Sequence, residues 1–458
     1  MARPAHELKW LWLVIGAYVV SGAAAAWLMP WSREDKRRPP SIMEKYIPPD
    51  EEAHIEYVEY LLNERRLPMF SDPNVNYEAH QPPLFYMSCL PALVAGSAAA
   101  YLLGLPDSRA AVTLALRAWC ILIGALVIWA VYALALRLFS GDGKKALLAA
   151  GFAALLPMHF VNLAGVTNDG LGELMITLCL LWALKVAANP DDTTSVVLGL
   201  LIGAAMLVKS NSLFVLAVGI VAVVLGTQAK NQRPHQVRAM GQSLGLMLGA
   251  MLLVCGWWLV RNQVLYGDPL AQKVFVGLFS QDRATPEWFF ERGFGPAVYL
   301  QLVLFGTIFS FWGVFGQAIV YMPLWFYLLG FALAVAVLVG LAKGWWRWHR
   351  SGEARGVSAG WVLCGIALVL VGLMFVRFNM SFYQAQARYL FPAVGPLAAL
   401  FAAGWWSLWA WGEGEDGEVS ISKAGWALWW LALGVLAIAA LWYLRPGAPL
   451  LGPPLLGM

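Results

Sequence analysis

Charge is scarce in this sequence. Only 13% of its 458 residues are charged against 60% hydrophobic, roughly half the charged share of an ordinary soluble globule. That scarcity excludes a water-soluble domain of this length. Cysteine is scarce too: Cys89, Cys120, Cys179, Cys255 and Cys364 all lie inside apolar stretches, with no CxxC and no partner histidine. They read as small buried hydrophobes, which leaves no disulfide framework, metal site or redox compartment. The formal net charge is only +4, with most basic residues in short loops between apolar runs. Nucleic acid is therefore not an expected partner.

What the chain has in abundance is apolar runs near 20 residues, recurring from end to end. Each can cross about 30 Å of hydrocarbon as a helix. The expected fold is an all-α polytopic membrane protein, one transmembrane domain over residues 1–458, with about eleven crossings. The 24 tryptophans crowd at segment ends, among them Trp10, Trp12, Trp257-Trp258, Trp345-Trp346, Trp405-Trp406 and Trp429-Trp430. That distribution suggests interfacial aromatic belts.

Residues 9–29 form the first run. Ala24-Ala25-Ala26 has the look of a cleavage site, but the run is long for a signal core, and we expect an uncleaved span with a cytoplasmic N-terminus. A first outer loop, 30–110, follows. Within it, 51–65 has the pattern of an amphipathic helix, with Asp50 at the N-cap and Ile55, Val58, Leu61 and Leu62 on one face. Residues 84–105 are apolar enough to span. If they cross, the basic loops at Lys144-Lys145, Lys230 to Arg238 and Trp345 to Arg355 all fall outside. If they lie along the outer surface, all three fall inside, and the Lys/Arg bias selects the second arrangement.

The spans then run approximately 111–138, 145–164, 170–188, 194–209, 212–227 and 239–260. A second outer loop, 261–320, carries Arg261, Asp268, Asp282, Arg283, Glu287, Glu291 and Arg292, and its 298–318 portion is expected to be re-entrant or interfacial. Spans at 321–342, 358–376, 389–411 and 424–444 complete the set. Gly412–Gly417 is an inner linker, and no soluble C-terminal domain is expected.

This topology sorts residues that played no part in choosing it. Asp50, Glu51, His54, Glu78 and His80 come out on the outer side, with Asn168-Asp169 and Arg388-Tyr389. Acids held near lipid are costly and mark function by default. Transfer of a sugar from a lipid phosphate to a hydroxyl needs a carboxylate within reach of the acceptor proton. It also needs cations on the departing phosphate, best an arginine fork. Asp50 or Glu51 suits the first role and Arg388 the second, with His80 a further candidate. Asp169 suits a sugar hydroxyl, the acceptor or a cation. Each has a plainer reading: Asp50 or Asp169 as a helix cap, Arg388 snorkelling at a helix end, His80 as a turn residue. Arg117 and Lys209 read as helix anchors, His159 as a satisfied buried histidine, and Glu44 and Lys45 as solvated.

Four of these segments also resemble a known group. Pro-Asp-Glu-Glu-Ala-His at 49–54 and His-Gln-Pro-Pro-Leu-Phe-Tyr at 80–86 resemble the first outer loop of GT-C superfamily glycosyltransferases. The likeness is to the branch holding protein O-mannosyltransferases and lipid A aminoarabinose transferases. Gly165 to Gly170 resembles that branch's second acidic motif, and Gln386 to Pro392 its Arg-Tyr motif. The resemblance implies a polyprenyl-phosphate sugar donor, an inverting single displacement with Asp50 as base, and interfacial helices in the first outer loop. It implies no obligatory metal or other cofactor, and the residues expected to contact substrate are His54, Glu78, His80, Gln81, Asn168, Arg388 and Tyr389. Gln81 stands where aminoarabinose transferases carry a lysine, so a phosphate-binding cation is missing there. The expected acceptor is a lipid or glycan hydroxyl, and the expected setting a bacterial inner membrane with the site on the extracytoplasmic side. The alternative is a transporter or flippase of lipid-linked sugars. Transporters place binding residues near the midplane on broken helices, often in inverted repeats. The ionisable residues here lie at one face, with no evident repeat.

Overall fold

The computed structural model describes residues 5–31, 37, 44–72, 77–230, 233–279, 284–350, 358–413 and 419–453. Asp282 and Arg283, and most of the Gly412–Gly417 linker, lie outside them. Among the described residues eleven helices are long and apolar enough to cross a membrane, and a bent pair brings the number to twelve. The only strands described form two short hairpins.

The longest-range organisation comes from α1 (Ala5–Leu28) and α4 (Ser108–Leu138). They run antiparallel, with Tyr18 against Gly124 and Gly22 against Ile121. Beyond α1 the first half of α4 continues beside α3 (Leu84–Leu102) instead. Gly96 of α3 sits on the α4 backbone, where an added Cβ would lie 2.9 Å from the Val112 Cα. The Trp119 indole donates to the Ser88 hydroxyl. At 31 residues α4 is about 46 Å long, so α1 flanks its C-terminal two-thirds while α3 doubles back along its start. In this geometry α3 does not run level with α1.

Between α1 and α3 lies α2 (Glu51–Glu64). Its buried face is formed by Glu51, His54, Ile55 and Val58, whereas Leu62 is exposed. The expected apolar stripe is thus rotated toward two ionisable residues. The chain then forms α5 (Gly143–Leu155) and α6 (Pro157–Ala164), bent by 58° at the break before Pro157. Proline has no N–H to continue a helix and disfavours helical geometry in the residue before it. After α7 (Asp169–Ala188) come α8 (Asp192–Val208), α9 (Phe214–Lys230) and α10 (Arg233–Tyr266). Gly199 and Gly203, one turn apart, bring α8 onto the α10 backbone at Met247 and Met251, the small-residue contact that helices use in lipid.

Two short helices, α11 (Gln272–Phe279) and α12 (Pro286–Glu291), lead to α13 (Pro296–Gly313). The Tyr299 hydroxyl of α13 donates to the Asn379 carbonyl near the C-terminus of α15 (Ala359–Ser381). At its other end Trp312 covers Gly330, near the N-terminus of α14 (Leu324–Arg350). A hairpin of β1 (Val314–Phe315) and β2 (Val320–Tyr321) joins α13 to α14, and Leu451 bridges to Tyr321. A 3₁₀ segment, Ala387–Ala393, leads into α16 (Val394–Trp409). A second hairpin, β3 (Ala410–Glu413) with β4 (Val419–Ile421), precedes α17 (Lys423–Leu444).

The tryptophans divide. Trp10, Trp12, Trp257, Trp345 and Trp346 are exposed as an aromatic belt would be, whereas Trp258, Trp405, Trp406 and Trp429 are buried. Trp405 and Trp429 pack on each other, and Trp429 packs on Phe152. For these the segment-end reading is corrected: an indole at the end of a helix in a bundle can fill the interior as well as the interface. All five cysteines are buried thiols.

Candidate active site

Asp50 stands at the start of α2 with φ of 63°, a left-handed conformation that few non-glycine residues adopt. Its carboxylate does not cap the helix. Instead Oδ1 accepts from the Tyr77 hydroxyl at 2.7 Å and Oδ2 from Arg388 Nη2 at 2.9 Å. The Asp50 side chain is a quarter exposed, while that of Arg388 is 7% exposed. The capping and snorkelling readings of these two residues both fail. Burial works to raise the Asp50 pKa, but Arg388 and the Tyr77 hydroxyl outweigh it and bring it down to about 2. Arg388 lies over the Tyr389 ring, and the Tyr389 hydroxyl donates to Gln384. Among the described residues the buried guanidinium Nε of Arg388 has no hydrogen-bond partner.

A second ion pair lies within electrostatic range of the first. Asp169 opens α7, and its Oδ1 is 2.5 Å from Lys209 Nζ while Oδ2 accepts from Asn162 at 3.1 Å. It caps nothing by side chain, since the N-cap position is Asn168. Lys209 was expected to anchor a helix. The helix ends at Val208, and Lys209 is extended, at φ −154° and ψ 121°. That turn sends its amine to Asp169 and into the site. Arg388 acts electrostatically on Asp169 as well as on Asp50, so the two acids and two cations form one cluster.

Glu51, paired with Asp50 as a candidate base, is corrected to a structural part. Both its oxygens are engaged by Arg117, through Nε at 2.8 Å and Nη2 at 2.6 Å, and Oε1 also accepts from the Val166 N–H. Arg117, fully buried, spends its other donors on the carbonyls of Ala26, Met29 and Pro30. One ion pair therefore ties α1, α2, α4 and the loop before α7 together. The anchoring expected of Arg117 is what it does, with Glu51 as the partner.

The remaining candidates surround this centre. His54 Nδ1 is 2.9 Å from the Tyr86 hydroxyl, which donates to Glu78 Oε2 at 3.4 Å. Burial pushes the His54 imidazole down to about 4. Gln81 accepts from the Asn168 side chain, joining the first outer loop to the second acidic segment. His80 donates from Nδ1 to the Tyr77 carbonyl, and its ring packs against Phe70 and Phe275. That is the contact set of a turn residue. His159 is held by the Ala153 carbonyl and by Glu173. Among the described residues no group of three or more His, Cys, Asp or Glu is placed to hold a metal ion. Tyr77, Asn162, Lys209 and Glu173 were missed or misread in the sequence. The usable signal was that Lys209 and Asn162 lie near segment ends that the expected topology puts on the same side as Asp169.

Residues 109–258 match the family described as dolichyl-phosphate-mannose-protein mannosyltransferase. A search of curated proteins finds no significant match. Among solved structures, the fold is similar to ArnT from Cupriavidus metallidurans bound to undecaprenyl phosphate. There the identity is 15% and the TM-score 0.51, over 95% of this chain and 64% of that one. It is similar to the Archaeoglobus fulgidus oligosaccharyltransferase in complex with Zn and sulfate, at 15% identity and TM-score 0.51, over 95% of this chain and 53% of that one. The archaeal oligosaccharyltransferase AglB from Archaeoglobus fulgidus, in complex with an inhibitory peptide and a dolichol-phosphate, aligns at 15% identity and TM-score 0.50, over 97% and 57%. The chain thus spans between half and two-thirds of these relatives' length. The family match agrees with the resemblance read from the motifs, of which Gly165 to Gly170 lies within the matched residues, and the fold is similar over nearly the whole chain.

Proposed function

We propose that the chain is a membrane glycosyltransferase. It moves a sugar from a polyprenyl-phosphate donor to a hydroxyl of a lipid or glycan acceptor, at the extracytoplasmic face of a bacterial inner membrane. The observation that carries this reading is the contact of Asp50 with Arg388 across 338 positions of sequence, beside a second pair of Asp169 and Lys209. A phosphate needs cations, and here two stand beside two carboxylates.

In this mechanism the donor phosphate docks on the Arg388 guanidinium, with Lys209 as the second cation. The acceptor hydroxyl attacks the anomeric carbon from the face opposite the phosphate. The new carbon–oxygen bond forms as the bond to phosphate oxygen breaks, and the configuration inverts. The acceptor proton passes to Asp50, and polyprenyl phosphate leaves as the anion. Asp50 in the resting site is a weak base, because Arg388 and Tyr77 stabilise its charge. An arriving phosphate competes for Arg388, and the carboxylate it releases is more basic. The base is thereby strengthened only when the donor is in place. Asp169 holds Lys209 and orients substrate, and the reading calls for no divalent cation.

The test is to incubate purified protein with a panel of polyprenyl-phosphate sugars and follow release of polyprenyl phosphate together with new glycosidic product. Turnover of one donor supports the reading. Flux of intact donor across proteoliposomes, without any new glycosidic bond, would make the protein a transporter.

A further inference from the structure

The proposed chemistry uses the two ion pairs and leaves a third buried device unexplained: the chain of Glu78, Tyr86 and His54. His54 and Glu78 are almost wholly buried and Tyr86 fully so. Tyr86 also stacks on Tyr57, with ring centroids 3.7 Å apart, which fixes its hydroxyl. A tyrosine hydroxyl has one proton, and here it goes to the Glu78 carboxylate. With that proton on Glu78 the Tyr86 oxygen accepts and His54 donates from Nδ1, one of the two tautomers that the 2.9 Å contact allows. That tautomer leaves a lone pair on Nε2.

The His54 N–H donates to the Asp50 carbonyl, which places His54 in the first turn of α2 after Asp50. The charges that act on its ring belong to Asp50, Lys209, Asp169 and Arg388, which are the four members of the two ion pairs. A buried imidazole so placed, and neutral at ordinary pH, can accept a hydrogen bond and cannot donate one from Nε2. Phosphate oxygens offer no such donor. A sugar hydroxyl does.

We propose that His54 is a specificity-determining residue whose Nε2 accepts a hydrogen bond from a hydroxyl of the donor sugar, with Tyr86 and Glu78 as the positioning residues that hold its tautomer. This rests on the glycosyltransferase reading and adds to it. The site would then distinguish a sugar-bearing lipid from the bare lipid phosphate it must release.

The test compares binding of two probes to the purified full chain: a polyprenyl-phosphate hexose and polyprenyl phosphate without sugar. His54→Gln and Tyr86→Phe are measured beside the wild type and Arg388→Gln. Loss of one neutral hydrogen bond should weaken the hexose-bearing probe roughly three- to tenfold in His54→Gln, and less in Tyr86→Phe. Binding of the bare phosphate should be unchanged in both, which also shows that they are folded. Arg388→Gln should weaken both probes. Equal affinities of the His54 variant and the wild type for the hexose probe would overturn the proposal. So would a His54 variant that loses both probes alike while Tyr86→Phe loses neither, since that marks a purely structural histidine. If the wild type binds neither probe, the glycosyltransferase reading fails first.

Discussion

Glu51 and Asp50 are adjacent carboxylates, and the structure gives them opposite fates, so Glu51→Gln is the sharpest perturbation available. Arg117 is fully buried, and its guanidinium is neutralised by the Glu51 carboxylate alone among its contacts. Glutamine keeps the shape and one acceptor oxygen but removes the charge, and its amide group points donors at donors. Breaking one partner of a buried ion pair costs roughly 3–5 kcal/mol, because the other charge is left uncompensated. The Val166 N–H bond to the same side chain adds to the loss if the amide turns over. The readout is thermal unfolding in detergent alongside specific activity of the folded fraction. The expected result is a clear fall in Tm with turnover per folded molecule within about threefold of wild type. A Glu51→Leu, Arg117→Met double variant should recover much of the stability, since an apolar pair buries no charge. An unchanged Tm with turnover reduced more than about a hundredfold would refute the reasoning and return Glu51 to the chemistry.

Three further outcomes are expected. His54 has its pKa lowered from the usual 6.5 to about 4, so the unfolded chain binds more protons than the folded one between those values. Its contribution is fully present above pH 6.5 and is lost as pH falls toward 4, a change on the order of 3 kcal/mol, and His54→Gln should flatten that part of a stability-against-pH curve. If donor phosphate draws Arg388 away from Asp50, the acid limb of kcat should lie at higher pH than that of kcat/KM for the donor, since the former reports the complex and the latter the free enzyme. Coincident limbs would mean that Arg388 stays on Asp50. Finally, Lys209→Met should raise the donor KM while a chelator leaves turnover unchanged, and loss of turnover with EDTA, restored by a divalent cation, would contradict the two-cation site.

Much of this protein is legible along the chain, for a simple reason. The length and polarity of apolar runs are local properties, and α1, α4, α9, α14 and α17 follow from them. The segments 84–105 and 298–318, expected at the outer surface, form α3 and α13, both long and apolar enough to cross a membrane; α3 doubles back along α4, and α13 links the ends of α15 and α14. What could not be read are pairings made across long stretches of sequence. Asp50 finds Arg388, Asp169 finds Lys209 and Glu51 finds Arg117 only after the bundle has formed. Asp50 and Glu51 are indistinguishable neighbours in sequence. A left-handed turn at one and the inward face of α2 at the other send one carboxylate to Arg388 and make the other a tie between helices. Lys209 was misread for the same reason, because a lysine after an apolar run anchors or reaches inward according to one backbone turn. The buried Trp258 and Trp429 show that a residue at a segment end is not thereby at an interface.

The central claim is that the Asp50–Arg388 contact is a reaction centre and not a structural tie. The most direct measurement is donor consumption by Asp50→Asn against wild type, in the purified protein, with donor affinity measured in parallel. The expected result is donor binding within a fewfold of wild type and sugar release slowed by at least about 10²-fold, the scale of a lost general base. Release of sugar at the wild-type rate would contradict it.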